Sequence, residues 1–287
     1  MIRIACVACL DPAISIHTPG FLRAVELAQA HALPPGVQVT LFDDKASAEG
    51  AATAVRQILG FRPDAVVGHF ASSAAQVAAP LYAAANLPLF LPAATRRDLT
   101  RNATTFRVCD HDTAYVDWLC KAIAAPIHTA LSDGSAHGDS VVQAVRANPA
   151  FMPQDPPQTV LISGLYKAVL NRAAAIAAPR IILTDDADAP SLGADLTAVG
   201  LDLTRTRVDV GALRAQPRGR VAQSIQTAHG GTPGTYFWET IAALQIAAQG
   251  GPLHDTVLGP MRFDTHREAN PQSFTLKPIA APACAAA

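Results

Sequence analysis

The chain has 287 residues, half of them hydrophobic, with 22 basic and 23 acidic side chains and a net charge of −1. That composition supports one large core or two small ones, and its dispersed charge, with no basic patch among aromatics, argues against a nucleic-acid partner. No apolar run reaches the roughly 18–20 residues that a bilayer span needs.

The apolar start MIRIACVACL is interrupted by Arg3 and closed by Asp11-Pro12. It lacks the basic segment, long apolar stretch and small-residue cleavage site of a secretory leader, and reads as a buried strand over 2–10. The sequence as written is therefore expected in the cytoplasm, and in the periplasm if a leader precedes it. Cys6 and Cys9 fall on that strand three residues apart, hence on opposite faces. With Cys109, Cys120 and Cys284 they read as free thiols, mostly buried, rather than a disulfide or metal framework.

Thr18 is placed to cap a helix over 19–32 with Pro19 at its first position. A strand over 37–42 closes at Asp43-Asp44. A helix over 46–60 follows, with Ala51, Ala54, Val55, Ile58 and Leu59 at helical spacing. Strand 65–68, helix 72–86 and strands 87–91 and 106–108 complete an alternating series. A second series has helix 113–124, strand 128–132, helix 139–147, strand 159–164, helix 166–177, strand 180–183 and an acidic loop at 185–188. Asn148–Gln158 holds four prolines and reads as a linker. Residues 189–230 are weakly patterned; GGTPG at 230–234 then precedes helix 235–249 and candidate strands 257–263 and 274–278. Alternation of this kind predicts an α/β fold of doubly wound parallel sheets, with ligands beyond the carboxyl ends of the strands.

The richest stretch is GHFASSAAQVAAPLYAAANLPLFLPAATRRDLT, Gly68–Thr100. Ser72 and Ser73 open a helix directly after a strand, and the turn Ala93-Ala94-Thr95 follows the neighbouring strand. A serine at a helix start serves as a cap, but the same N–H groups and dipole suit an anion. Two such turns at one sheet edge are placed to hold a small anion, such as the carboxylate of an amino acid.

This stretch resembles the type I periplasmic binding proteins of the leucine/isoleucine/valine group, in which GH-x-x-SS…A-x-x-Y…P-x-AT-x-x-x-LT recurs. GTYFWETIAALQIAAQ (234–249) and TVLGPMRFD (256–264) resemble two further segments of that family. The resemblance implies two lobes joined by a hinge: 1–116 with 210–264, which anchors a carboxylate, and 117–209 with 265–287, which reads ammonium and side chain. It places Ser72, Ser73, Ala93, Ala94 and Thr95 at the ligand, with the Ala93 carbonyl accepting from the ammonium. Asp185 takes the place of the family's glutamate, with Asp186 and Asp188 as alternatives and a solvated acidic loop as the plain reading of each. In DGSAHGDSVVQAV (133–145) His137 stands where the family has an aromatic, and reads equally as an exposed loop histidine. Tyr166 is a candidate pocket wall or a core residue. His17 and Ile16 are weaker candidates, and Phe42, Trp118 and Trp238 read as core or hinge. The proline linker replaces a strand and helix of the family, so the second lobe is expected to be trimmed.

No G-x-S-x-G, phosphate loop or dinucleotide fingerprint occurs, and the one histidine near Ser72 in sequence is His69. A calcium loop lacks its glycine and terminal glutamate. The reading is a non-enzyme without cofactor or metal. It binds a small amino acid or amide-like metabolite in an inter-lobe cleft, as the substrate-binding component of an ABC importer docking on a permease. The alternative is a cytoplasmic sensor with a regulatory partner. A degenerate homologue and a hydrolase rank lower, and no membrane insertion is expected.

Overall fold

The computed structural model of the protein describes residues 1–250, 253–269 and 274–280. In chain order the elements are β1 (Ile2–Ala8), α1 (Thr18–His31), β2 (Val37–Asp43), α2 (Ala48–Phe61), β3 (Ala65–Gly68), α3 (Ser72–Ala84) and β4 (Leu89–Leu91). A 3-10 turn (Arg97–Arg101) leads to β5 (Thr105–Arg107), α4 (Asp112–Ile123), β6 (Thr129–Ser132), α5 (Ala136–Ala147), β7 (Thr159–Ser163), α6 (Tyr166–Ala174) and β8 (Arg180–Leu183). A second 3-10 turn (Asp185–Ala187) precedes α7 (Leu192–Ala198), β9 (Arg207–Leu213), α8 (Gly219–His229), α9 (Phe237–Gln249), β10 (Leu253–Thr256), β11 (Gly259–Arg262) and β12 (Phe274–Ile279).

The chain divides into two units: Met1–His111 with Ala215–Ser273, and Asp112–Arg214 with Phe274–Ala287. The expected boundaries at 116, 210 and 264 lie five, five and nine residues from these. The last difference has a visible cause, since residues 264–269 remain with unit 1: Glu268 pairs with Arg107 at 3.0 Å, and Arg267 donates to the Thr100 carbonyl.

Unit 1 is built on a parallel sheet of order β2-β1-β3-β4-β5. Along β1 the side chains divide by parity: Ile4, Cys6 and Ala8 join a core with α1, α8 and α9, while Ala5 and Val7 join one with α2 and α3. Burial on both faces is what a continuous apolar strand demands. Helix α2 starts at Ser47, whose hydroxyl accepts from the Gly50 N–H, and buries Ala51, Ala54, Val55 and Ile58. Trp238 lies in the α1/α9 core and Phe42 packs on Phe61.

Unit 2 has the order β12-β9-β8-β7-β6, parallel except for β12 on β9. Val160, Ile162, Ile181 and Leu183 face the α6/α7 core, and Leu161 and Ile182 face the α4/α5 core. Trp118 stacks at 5.0 Å on Phe274. Both sheets have five strands, but among the described residues no strand flanks the outer side of β6, where the proline linker runs. A parallel bridge between Ile127 and Phe151 lies just before β6, and Arg146 donates to the Ala130 carbonyl at 3.0 Å.

Several sequence expectations are corrected. The weakly patterned stretch 189–230 holds α7, β9 and α8; α7 is too short for a periodic signal, and α8 buries only Ala222 and Ile225. The expected strand 257–263 is a hairpin, because Val257-Leu258 form the turn between antiparallel β10 and β11. Thr18 does not cap α1. His17 is the capping position, and the Thr18 hydroxyl donates to the Cys9 carbonyl at 2.7 Å. Cys6, Cys9, Cys109 and Cys120 are buried free thiols; Cys284 lies outside the described residues. No helix among the described residues is long and apolar enough to cross a membrane.

Candidate functional site

In unit 1 the Gly68-His69 pair shapes the turn that carries the serines. Gly68 has φ +137°, and a Cβ there would lie 1.9 Å from the Val7 carbonyl oxygen, so only glycine fits. His69 is left-handed at φ +53° and fully buried. Its Nδ1 lies 2.9 Å from Asp44 Oδ2 and its Nε2 3.1 Å from the Tyr82 hydroxyl. With both ring nitrogens engaged in the core, His69 is not placed to serve Ser72 as a base.

The expectation that Ser72 caps α3 is not met. Ala71 is the capping residue and no side chain caps the helix, so Ser72 and Ser73 occupy the first two helical positions. The N–H groups of that first turn are left for another acceptor. Ser72 is 8% exposed.

Because β3 and β4 are neighbours, the turn Ala93-Ala94-Thr95 emerges beside the start of α3. Ala93, Ala94 and Thr95 are buried. Arg96 fixes this turn from the solvent side, donating to both oxygens of Asp98 and, at 3.2 Å, to Gln76 of α3. The hydrogen bond from Arg96 holds the Asp98 carboxyl below its ordinary range. From the core, Arg107 donates to the Arg96 carbonyl at 2.7 Å while it pairs with Glu268. This Arg96–Gln76–Arg107–Glu268 scaffold was not legible in the sequence, since Glu268 is 161 positions from Arg107. Beside the same edge, Phe70, His17 and Tyr236 form an aromatic cluster, with His17 and Tyr236 edge to face at 5.5 Å. Tyr236, left-handed at φ +67°, was also missed.

Unit 2 repeats the device with different residues. Gly164 has φ +145°, and a Cβ there would run into the Asp133 side chain. Asp133 accepts from the N–H groups of Ser135 and Leu165 at 2.9 and 2.8 Å. Burial raises its carboxyl, but these hydrogen bonds outweigh that and lower it. Ser135 caps α5 through the Gly138 N–H at 3.1 Å. The helix therefore starts at Ala136 rather than 139, and His137 sits in its first turn, not in an exposed loop.

There His137 meets three carboxylates. Its Nδ1 is 3.6 Å from Asp112 Oδ1, and its Nε2 is 3.7 Å from both Asp185 Oδ1 and Asp186 Oδ2. Asp112 and Asp185 are buried, and Asp112 also accepts from the Ser140 hydroxyl at 2.5 Å. Burial pulls the His137 pKa down, but Asp186, Asp112 and Asp185 together push it well above the ordinary value. Two other expected residues find definite places. Asp188 pairs with Lys277 at 3.1 Å; the Tyr166 hydroxyl donates to Asp195 at 2.7 Å; and the Tyr166 ring packs against the α6/α7 core. Asp112 was missed, because nothing in the sequence links the start of α4 to a histidine 25 residues later.

No protein-family model matches the sequence, and no curated protein matches it. Solved structures do. A leucine-binding protein, LivK, from Thermotoga maritima superposes with a TM-score of 0.77 at 15% identity, over 98% of this chain and 99% of that one. LivJ, a branched-chain amino acid transporter substrate-binding protein from Streptococcus pneumoniae in complex with isoleucine, gives 0.76 at 14% identity, over 96% and 99%. An ABC-transporter solute-binding protein from R. palustris in complex with benzoate gives 0.72 at 13% identity, over 97% and 93%. The chain has the type I periplasmic-binding fold, with no strand outside β6 among the described residues.

Proposed function

We propose that the protein binds a small carboxylate-bearing metabolite, an amino acid or its amide-like relative, without transforming it. The observation that carries this reading is the edge of unit 1, where Ser72 and Ser73 lie on a helix start that no side chain caps. Beside it, the Thr95 turn is held rigid by Arg96 and Arg107. Helix N–H groups and short hydroxyls bind carboxylate well. Asp185 is the partner we assign to an ammonium, with Ser73, Ala93 and Ala94 shaping the anchor and His137 and Tyr166 contributing from unit 2. The engagement of both His69 nitrogens supports binding over hydrolysis. The amino acids and benzoate held by proteins of the same fold are consistent with a carboxylate.

The role we assign is the substrate-binding component of an importer. The second reading, a sensor acting on a regulatory protein, is favoured by one feature: among the described residues no strand lies outside β6, which changes the surface offered to a permease. Recovery with membrane-embedded permease after mild crosslinking supports the importer; recovery with a cytosolic regulator alone supports the sensor.

The binding reading is tested by thermal-shift screening of amino acids, their amides and aromatic carboxylates in EDTA-containing buffer, on wild type, Ser72→Ala and Thr95→Ala. A hydrogen bond to a charged group contributes about 1.5–3 kcal/mol. Each substitution is therefore expected to weaken binding about 10- to 100-fold. Stabilisation that survives both substitutions overturns the anchor.

A further inference from the structure

Open sheet edges invite pairing, and proteins guard them with a charge, a proline, a bulge or a covering segment. The strand β6, Thr129–Ser132, carries neither charge nor proline. Among the described residues the proline linker covers only the position ahead of it, where Ile127 exchanges hydrogen bonds with Ala150 and Met152. Within a strand, backbone groups of successive residues turn to alternate sides. The N–H of Asp133 reaches the Ser163 carbonyl on the β7 side. Leu131 therefore turns to β7, while Ala130 and Ser132 turn outward, where no strand meets them among the described residues. Arg146 takes one lone pair of the Ala130 carbonyl at 3.0 Å, and a carbonyl offers a second.

The charges along this edge indicate what fits it. Asp139, Gln143 and Arg146 are exposed and fall at i, i+4 and i+7 of α5, on one stripe of the helix. With Ala130, Leu131 and Ser132 they line a groove of about 400 Å³. Charge runs in order along that groove. Asp139 stands at Ser132, whose hydroxyl donates to it at 2.6 Å, and Arg146 stands at Ala130. Both partners are neutral, so one end of the groove stays negative and the other positive. Such an edge is complementary to itself when reversed. A two-fold axis through Leu131, perpendicular to the sheet, would set Ala130 of each copy opposite Ser132 of the other. Asp139 of each copy would then stand beside Arg146 of the other, with Gln143 facing Gln143 across the axis. The outward backbone groups of Ala130 and Ser132 would pair. The two Leu131 side chains, on the α6/α7 face, would meet as a cross-strand pair. A copy laid parallel would set like charges together instead.

We propose that the protein forms a homodimer by antiparallel pairing of β6 with β6 of a second copy, locked by Asp139–Arg146 ion pairs across the two-fold axis. The contact is isologous and closes on itself, and it joins the unit 2 sheets of both copies into one. It goes beyond the carboxylate-binding reading and does not depend on it.

The test is sedimentation velocity of the untagged full chain from about 1 to about 200 µM. The wild type is expected to pass from monomer to dimer across that range. Asp139→Lys and Arg146→Glu, each checked for an unchanged far-ultraviolet circular dichroism spectrum, set like charges against each other. Each is expected to weaken dimerisation about 10-fold or more. Mixed one to one, they put a lysine opposite a glutamate and Arg146 opposite Asp139, and dimerisation is expected to return. A merely damaged fold would not be rescued in this way. Gln143→Lys brings like charges together at the axis and is expected to give the monomer even if Asp139→Lys fails to fold. In dilute solution β6 keeps the fast deuterium exchange of an open edge; with concentration, the Ala130 and Ser132 amides of the wild type alone gain protection. A wild type that stays monomeric at the highest concentration leaves the edge to a strand of another protein and overturns the dimer. So does a dimer that survives every single substitution, or a mixture of folded variants no heavier than its components.

Discussion

The two units solve the same geometric problem with different chemistry. Each sends a parallel strand toward a tight turn on a glycine of positive φ, Gly68 or Gly164, and each starts a helix just after it. In unit 1 the turn is braced by a buried histidine between Asp44 and Tyr82; in unit 2 it is braced by the Asp133 carboxylate gripping two backbone N–H groups. The lesson is that the backbone path is what the two share, while the bracing residues were free to differ. The units also differ in completeness. In unit 1, β1 is flanked on both sides, by β2 over seven residues and by β3. In unit 2, among the described residues, β6 is flanked by β7 and by no strand on its outer side. The chain between α5 and β7 is the proline-rich stretch where unit 1 has β2 and α2.

The sharpest way to break this comparison is to give each glycine a side chain. Gly68→Ala forces a Cβ into Val7 backbone, which cannot rotate away, and is expected to cost about 4 kcal/mol or more. Gly164→Ala meets the Asp133 side chain, which can move at the loss of its hydrogen bonds, for about 2–3 kcal/mol. Urea unfolding ranks them; equal costs would mean that the two turns are not braced by unequal materials.

A second test concerns buried charge. Unit 2 surrounds His137 with carboxylates, whereas unit 1 buries Glu239 at the start of α9 with its Oε1 lacking a hydrogen bond among the described residues. Burial first, then the nearby Asp110, raises the Glu239 pKa from 4.5 to about 7. The folded state therefore holds this proton more tightly than the unfolded chain. Stability is expected to fall as pH rises from 4.5 to 7, on the order of 3 kcal/mol across that window. Glu239→Gln is expected to remove the slope. An unchanged slope in the variant shows that the proton is taken up elsewhere.

The smallest effect concerns the incomplete sheet. Backbone amides of β6 are expected to exchange with deuterium about tenfold or more faster than those of β1, which is paired on both sides. Equal protection would show that the outer side of β6 is covered after all.

Most of the fold was legible because alternation of apolar strands with periodic helices is a local signal, strong from β1 through β5 and again from β6 to β8. The prolines of 148–158 excluded a strand there for the same reason, since they cannot sit in a central strand. What stayed hidden was nonlocal or short: α7, β9 and α8 were lost in weak patterning, and Ser72 was read as a cap when Ala71 holds that position.

The sequence by itself determined most strands of the two sheets, β9 excepted, and the turns that carry Ser72 and Thr95, because backbone propensity and burial act over a few residues at a time. Only the tertiary structure decided that Arg107 and Glu268 brace one of those turns, and that Asp112, His137, Asp185 and Asp186 meet. Charges and hydrogen bonds depend on distance in space, and distance along the chain does not report it.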